Sequence, residues 1–296
     1  MQKFNLSKRM AAVARLVPCG VSACDIGCDH GFVAIYLVRE HICPRVIAMD
    51  INRGPLSRAR EHIESAGLSS YIETRLSDGM EKLNIGEAEC IIAAGMGGRL
   101  TVKILNDFPE KRKSLRYLVL QPQSELAFVR RYLRSEGLVI RKEDMVLEDG
   151  KFYPMMLAEV GETGKEDGIS GREREPGRED EICGREREPG REDGISGRES
   201  APGKKDGICG SAKEPVSPGE RQRDLGGKAT YQESLTDEFG PCLIRDRHPV
   251  LAEYLDFWEG QQYKILKEVS AYPERREQVE EELRRIRDVR GMMKGQ

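Results

Sequence analysis

Val21-Ser22-Ala23-Cys24-Asp25-Ile26-Gly27-Cys28-Asp29-His30-Gly31 is the stretch that decides the fold. It runs from a short apolar segment into an acid, a flexible turn and a helix start. The apolar residues predict a strand over 23–26, and Gly27 and Gly31 would let the backbone after it approach a ligand closely. The turn is not G-x-G-x-x-G, and no glycine triplet offers amides to a pyrophosphate. That disfavours NAD, FAD and a dehydrogenase. An acidic first turn suits instead a sulfonium cofactor that brings an amine and a positive charge.

Working outward, further strands are predicted at 45–50, 71–76, 90–94 and 117–121, alternating with helical patterns, as in a mostly parallel sheet. Pro55 opens a helix that Gly67 closes, and Ser124 caps one that ends at Gly137. Asp50 ends the second strand, 25 residues after Asp25, near the offset at which an acid bonds ribose hydroxyls in doubly wound folds. Asp78-Gly79 follows the third strand, where an acid beside a turn can accept from an adenine amino group. The fourth opens onto Ala94-Gly95-Met96-Gly97-Gly98. Four successive strands thus end in polar or glycine-rich turns at the sheet edge where ligands bind in such folds. After Gly137 come two extended runs, 138–147 and 152–159, joined by the hairpin dipeptide Asp149-Gly150. A dehydrogenase fold does not predict that pair, whereas class I methyltransferases end with one.

The 296 residues allow one sizeable domain and a smaller one. No stretch approaches the ~20 apolar residues of a membrane span, and residues 1–10 lack the apolar region of a secretory signal; no membrane association and a cytoplasmic location are expected. The 8 cysteines contain no C-x-x-C pair, so neither zinc or another metal nor a disulfide framework is expected. Net charge is −3, but residues 1–160 are mildly basic and the rest mildly acidic, which permits a nucleic-acid partner. GREREPGREDEIC (171–183) is followed at once by GREREPGREDGIS (184–196), within a segment, 161–229, too poor in apolar residues to offset its ordering entropy. A disordered insertion is expected there. Its arginines are matched by acids, which argues against an RNA-binding tail. Beyond Tyr231, residues Val250, Leu251, Tyr254, Leu255, Trp258, Gln262, Ile265, Leu266 and Val269 share one helical face. Val279, Leu283, Ile286 and Val289 mark a second helix after Tyr272-Pro273, predicting an antiparallel helical hairpin.

The chain resembles the bacterial TrmK-type tRNA (adenine-22-N1)-methyltransferases. The resemblance rests on Leu6-Ser7-Lys8-Arg9-Met10, Val17-Pro18, Asp25-Ile26-Gly27-Cys28-Asp29-His30 and Ile51-Asn52-Arg53-Gly54-Pro55-Leu56. It extends through Arg75-Leu76-Ser77-Asp78-Gly79, Ala94-Gly95-Met96-Gly97-Gly98, Leu120-Gln121-Pro122, Glu148-Asp149-Gly150-Lys151-Phe152-Tyr153 and Phe239-Gly240-Pro241. It covers all but the repeat insertion. It implies an α/β class I S-adenosylmethionine-dependent methyltransferase fold, Rossmann-like, doubly wound and seven-stranded, over 1–160. The insertion at 161–229 and a coiled-coil-like helical domain at 230–296 complete the chain.

The implied reaction is methylation of adenine N1 in the D-arm region of tRNA, with S-adenosylmethionine as donor. Asp25, Gly27 and Asp29 are assigned to the methionine end of the cofactor, Asp50 and Ile51 to its ribose and adenine, and Asp78 with Gly79 to its adenine. Gly95, Met96 and Gly97 should border methyl transfer, and His30 is a candidate for contact with the target base or a phosphate. Lys8, Arg9, Arg53 and Arg99 are the candidate tRNA contacts. Two features depart from the family pattern: Gln123 stands where Asn is expected, and the repeat separates the domains. The residues alone leave open another methyl acceptor (a different RNA, a protein or a small metabolite) or a noncatalytic nucleic-acid-binding relative. They also leave the oligomeric state open, with a monomer compatible.

Overall fold

The computed structural model describes residues 6–161, 230–269 and 272–295. The expected disordered insertion lies outside the described residues except for Gly161. In chain order the first part comprises α1 (Lys8–Arg15), β1 (Ala23–Ile26), α2 (Phe32–Arg39), β2 (Val46–Asp50), α3 (Arg53–Ser65), β3 (Ile72–Leu76) and β4 (Cys90–Met96). It continues with α4 (Gly98–Asp107), α5 (Pro109–Lys113), β5 (Tyr117–Pro122), α6 (Leu126–Ser135), β6 (Leu138–Glu148) and β7 (Lys151–Val160). The strands form one seven-stranded sheet in the order β3-β2-β1-β4-β5-β7-β6. The first five are parallel, and β7 runs antiparallel to both β5 and β6.

Successive strand residues point to opposite faces, and here both faces are covered by helices. Ala23, Val46, Ala48 and Ile92 pack with α1, α2 and α3, whereas Cys24, Ile47, Met49 and Ile91 pack with α4 and α6. Burial on both sides is why these strands read as unbroken apolar runs rather than alternating ones.

The sequence expectations need three local corrections. β4 continues to Met96, past the expected end at 94, with a register irregularity between Ala94 and Met96. α3 begins at Arg53 rather than at Pro55; a proline is tolerated inside the first turn, whose N–H groups lack helical acceptors. Ser124 does not cap α6. Glu125, at φ 55°, occupies that position without a side-chain cap, and the Ser124 hydroxyl instead accepts from the Gly98 N–H at 3.4 Å. Gly67 and Gly137 lie just past α3 and α6 with φ of 71° and 69°, the left-handed conformation that stops a helix.

The second part holds α7 (Tyr231–Phe239), α8 (Pro241–Arg245), α9 (Pro249–Glu268) and α10 (Pro273–Lys294). α9 and α10 are the expected pair; the shorter α7 and α8 were not foreseen. Thr230 and Glu233 close a capping box at the start of α7, a strong initiation signal. Leu251 and Leu255 of α9 meet Ile286 and Val289 of α10, together with Leu235, Phe239, Leu243 and Met145 of β6. Trp258 and Tyr254 pack against this cluster, so their bulk serves the helical core. Among the described residues no helix is long and apolar enough to cross a membrane.

A polar network also joins the helices to the sheet. Arg130 of α6, 2% exposed, donates Nε to Glu143 Oε1 of β6 at 2.8 Å. It also donates Nη1 to the carbonyls of Asp237 and Glu238, each at 2.8 Å. Glu143 Oε2 accepts the Cys242 N–H at 2.8 Å, and Arg134 pairs with Asp237. The last paired positions of β5 and β7 are Leu120 and Met156. The β6–β7 tip therefore projects past the sheet on the side of the parallel strands' C-terminal ends, and its Phe152 packs into the helical core.

Candidate active site

The strand order places the C-terminal ends of β1, β2, β3 and β4 side by side, and most sequence-predicted site residues meet there. Asp25 lies one residue from the end of β1 and is 4% exposed; Asp50 closes β2 and is 7% exposed. Asp50 shapes two turns at once, accepting from Asn52 N at 2.8 Å through Oδ1 and from Asp29 N at 3.3 Å through Oδ2. The Met49 carbonyl accepts from Gly27 N and Cys28 N, both at 2.9 Å, which straps the first turn to β2. Burial, reinforced by the neighbouring Asp50 carboxylate, pushes Asp25 up to about 7. Among the described residues neither acid forms an ion pair. A buried acid pair whose counter-charge the described residues do not supply, beside the exposed backbone of Gly27, fits a cationic ligand with hydroxyl donors.

The flanking residues extend the same surface. Ile51, directly after Asp50, is 59% exposed and offers an apolar face. Asp78 is exposed after β3. The adjacent buried Ser77 holds that turn, donating its hydroxyl to Gly79 O at 3.0 Å and accepting from Lys82 N at 3.1 Å.

At the end of β4 the Met96 side chain reaches toward the first turn: a Cβ added at Gly27 would lie 3.6 Å from Met96 Cε. Gly98 opens α4 where it crosses the β5–α6 loop, and a Cβ there would lie 2.5 Å from the Ser124 carbonyl oxygen. Gly98→Ala is therefore expected to force α4 away from that loop, costing about 1–3 kcal/mol and lowering whatever turnover the site supports. Thermal melts and single-turnover rates would show both effects.

The basic candidates fare differently from one another. Arg9 donates Nη1 to the buried Gln121 Oε1 at 2.8 Å and lies 5.2 Å from the Tyr153 ring centroid. Lys8 Nζ donates to the Leu147 carbonyl at 3.2 Å, and Arg9 N to Glu148 Oε1 at 3.4 Å. Both residues thus tie α1 to the projecting hairpin. Arg53 is exposed at the first position of α3. Arg99 is not an isolated cation: it pairs with Glu125 and lies over Phe128. His30 sits in a ring stack with Phe32 and His62, at centroid distances of 5.6 Å and 5.8 Å. Its carbonyl is 3.0 Å from His62 Nδ1. The buried His30 Nδ1 has no hydrogen-bond partner among the described residues, while its Nε2 lies 3.6 Å from Asp29 Oδ1 and the side chain is 37% exposed.

The family described as "Methyltransferase domain" matches residues 6–156. A Bacillus subtilis (strain 168) protein, tRNA (adenine(22)-N(1))-methyltransferase, is 38% identical over 171 residues, covering 57% of this chain and 72% of that protein. The chain belongs to this methyltransferase family. Solved structures agree on the fold across both parts. The B. subtilis m1A22 tRNA methyltransferase TrmK superposes with TM-score 0.64 at 24% identity, covering 97% of this chain and 99% of that one. M. capricolum TrmK, determined with S-adenosyl-homocysteine, gives TM-score 0.63 at 19% identity over 97% and 99% of the two chains.

Two residues at this site escaped sequence reasoning as functional residues. Gln121 and Tyr153 were noted only as parts of motifs, yet they hold the Arg9 guanidinium. A glutamine ending the apolar run Tyr117-Leu118-Val119-Leu120 was the available signal, because a buried amide needs partners.

Proposed function

We infer that the protein transfers the methyl group of S-adenosylmethionine to N1 of adenine 22 in tRNA. The observation that carries this reading is the buried Asp25–Asp50 acid pair, without an ion-pair partner among the described residues, beside glycine turns at the C-terminal sheet edge of a family member. Bound there, S-adenosylmethionine supplies an electrophilic methyl group on a sulfonium. Asp25, Gly27 and Asp29 take its methionine end, Asp50 and Ile51 its ribose and adenine, and Asp78 with Gly79 its adenine. Gly95, Met96 and Gly97 border the transfer.

Adenine N1 carries a free lone pair at neutral pH, so no strong base is needed, and catalysis rests on holding acceptor and donor in line. N1 lies on the Watson–Crick edge, so the base must be unpaired or flipped from its stack. Residues 1–160 form the catalytic domain in this reading and 230–296 a helical domain; 161–229 is an insertion between them. Lys8, Arg9, Arg53 and Arg99 contribute to a basic face for tRNA. Neutralising a few phosphates makes binding salt-dependent, and affinity is expected to fall about tenfold or more between roughly 50 and 200 mM salt. Filter binding across that range checks it, and a flat response would remove the basic face.

The activity itself is tested with labelled S-adenosylmethionine and unmodified tRNA, wild type beside Asp25→Ala. 1-Methyladenosine formed only by the wild type is the expected product. Cofactor binding without tRNA methylation would assign the site to another acceptor.

A further inference from the structure

The β4 turn has two sides. Met96 faces the first turn, at Gly27. Gly95 precedes it by one residue with φ 83°, a conformation that a residue with a Cβ rarely adopts. A Cβ built there would point the other way, 3.4 Å from Arg9 Nη1 and 3.8 Å from Gln123 Nε2. A side chain at 95 would thus fill the space between the turn and these two polar groups. Gln123 is fixed at its backbone, where its N–H donates to the Met96 carbonyl at 2.8 Å. Its side chain is exposed, and its amide makes no hydrogen bond among the described residues. Arg9, by contrast, is already held by Gln121 and Tyr153.

We propose that Gln123 is a specificity-determining residue whose amide reads the N6/N7 edge of the acceptor adenine across Gly95. The inference rests on the proposed reaction. A base methylated at N1 must leave that nitrogen unbonded and facing the methyl group, so recognition has to use other atoms. Adenine offers an N6 amino donor beside an N7 acceptor, and a glutamine amide matches both at once. Guanine presents acceptors at both positions and leaves the amide oxygen facing an oxygen. An exposed amide anchored through its own backbone to the methyl-transfer turn is placed for this reading, and the bare backbone of Gly95 leaves room for the purine. Arg9, held rigid, borders the same space with its remaining N–H donors.

The test compares tRNA carrying adenosine or 7-deazaadenosine at position 22, with wild type, Gln123→Glu and Gln123→Met. 7-Deazaadenosine lacks the N7 acceptor but keeps N1 and N6. For the wild type, kcat/KM is expected to fall about tenfold to a hundredfold on the deaza substrate. Both variants should lose a similar factor on normal tRNA, because neither can donate to N7, and should then be nearly indifferent to the deaza change. S-adenosylmethionine binding, followed by calorimetry, should be unchanged in both variants. A wild type indifferent to deaza substitution, or variants as sensitive to it as the wild type, would overturn the assignment. Failure of the wild type to methylate even normal tRNA would instead overturn the proposed reaction, and this inference with it.

Discussion

Asp25→Asn is expected to stabilise the ligand-free protein at about pH 8 while weakening S-adenosylmethionine binding. Burial and the adjacent Asp50 push the Asp25 carboxyl up to about 7 from an ordinary 3.8. Between those values the folded protein binds more protons at this group than the unfolded chain does. The group's contribution to stability therefore falls as pH rises from about 4 to about 7, and above that the cost of a buried, unpaired charge is fully present. An amide of the same shape carries no such cost, so stability at about pH 8 should rise by up to roughly 4 kcal/mol, and the melting temperature with it. The difference should shrink toward pH 5. The same substitution removes the charge that complements a cationic ligand, and cofactor affinity should fall at least about tenfold. Thermal melts at both pH values, with and without S-adenosylmethionine, measure the two effects together. A destabilised Asp25→Asn protein at about pH 8 would mean that the carboxylate is held by structural partners rather than kept for a ligand.

Glu143→Ala is expected to be the most destabilising single change in the helical contact, costing about 3–5 kcal/mol. Glu143 is fully buried as a side chain, with Arg130 beside it at 2% exposure. Truncation would leave the guanidinium charge uncompensated and the Cys242 N–H without its acceptor. Both losses fall on the contact between α6, β6 and the start of α8, so the helices should loosen from the sheet before the sheet itself unfolds. Glu143→Gln keeps an acceptor and should cost less. Denaturant titration of the three proteins checks the order, and equal stability of Glu143→Ala and wild type would show that the apolar cluster around Leu251 and Ile286 alone carries the docking.

The strand ends were legible in the sequence because buried parallel strands leave simple marks: an apolar run, then an acid or a glycine. Asp25, Asp50 and Gly95 were found that way, Asp78 only as an acid beside a turn after the half-exposed β3, and the strand order brings all four to one edge. The α9 and α10 faces were legible for a similar reason, since Leu251, Leu255, Ile286 and Val289 repeat at helical spacing. Contacts between distant polar residues left no such mark. Nothing in the sequence around Arg130 or Glu143 marks them as partners, yet the fold buries them against one another. The tie from Arg9 to Gln121 spans most of the sheet domain's sequence, and no local pattern encodes it. Ser124 shows the limit of cap rules: its hydroxyl had a competing donor, Gly98 N, supplied by another element.

The most direct measurement is positional. Unmodified tRNA transcripts with adenosine or guanosine at position 22 are incubated with labelled S-adenosylmethionine, digested, and the labelled nucleoside is identified and mapped by mass spectrometry. One 1-methyladenosine per tRNA, at position 22 and absent from the guanosine transcript, is the expected result. Label on another atom or at another position, or equal labelling of both transcripts, would contradict adenine 22 N1 as the acceptor.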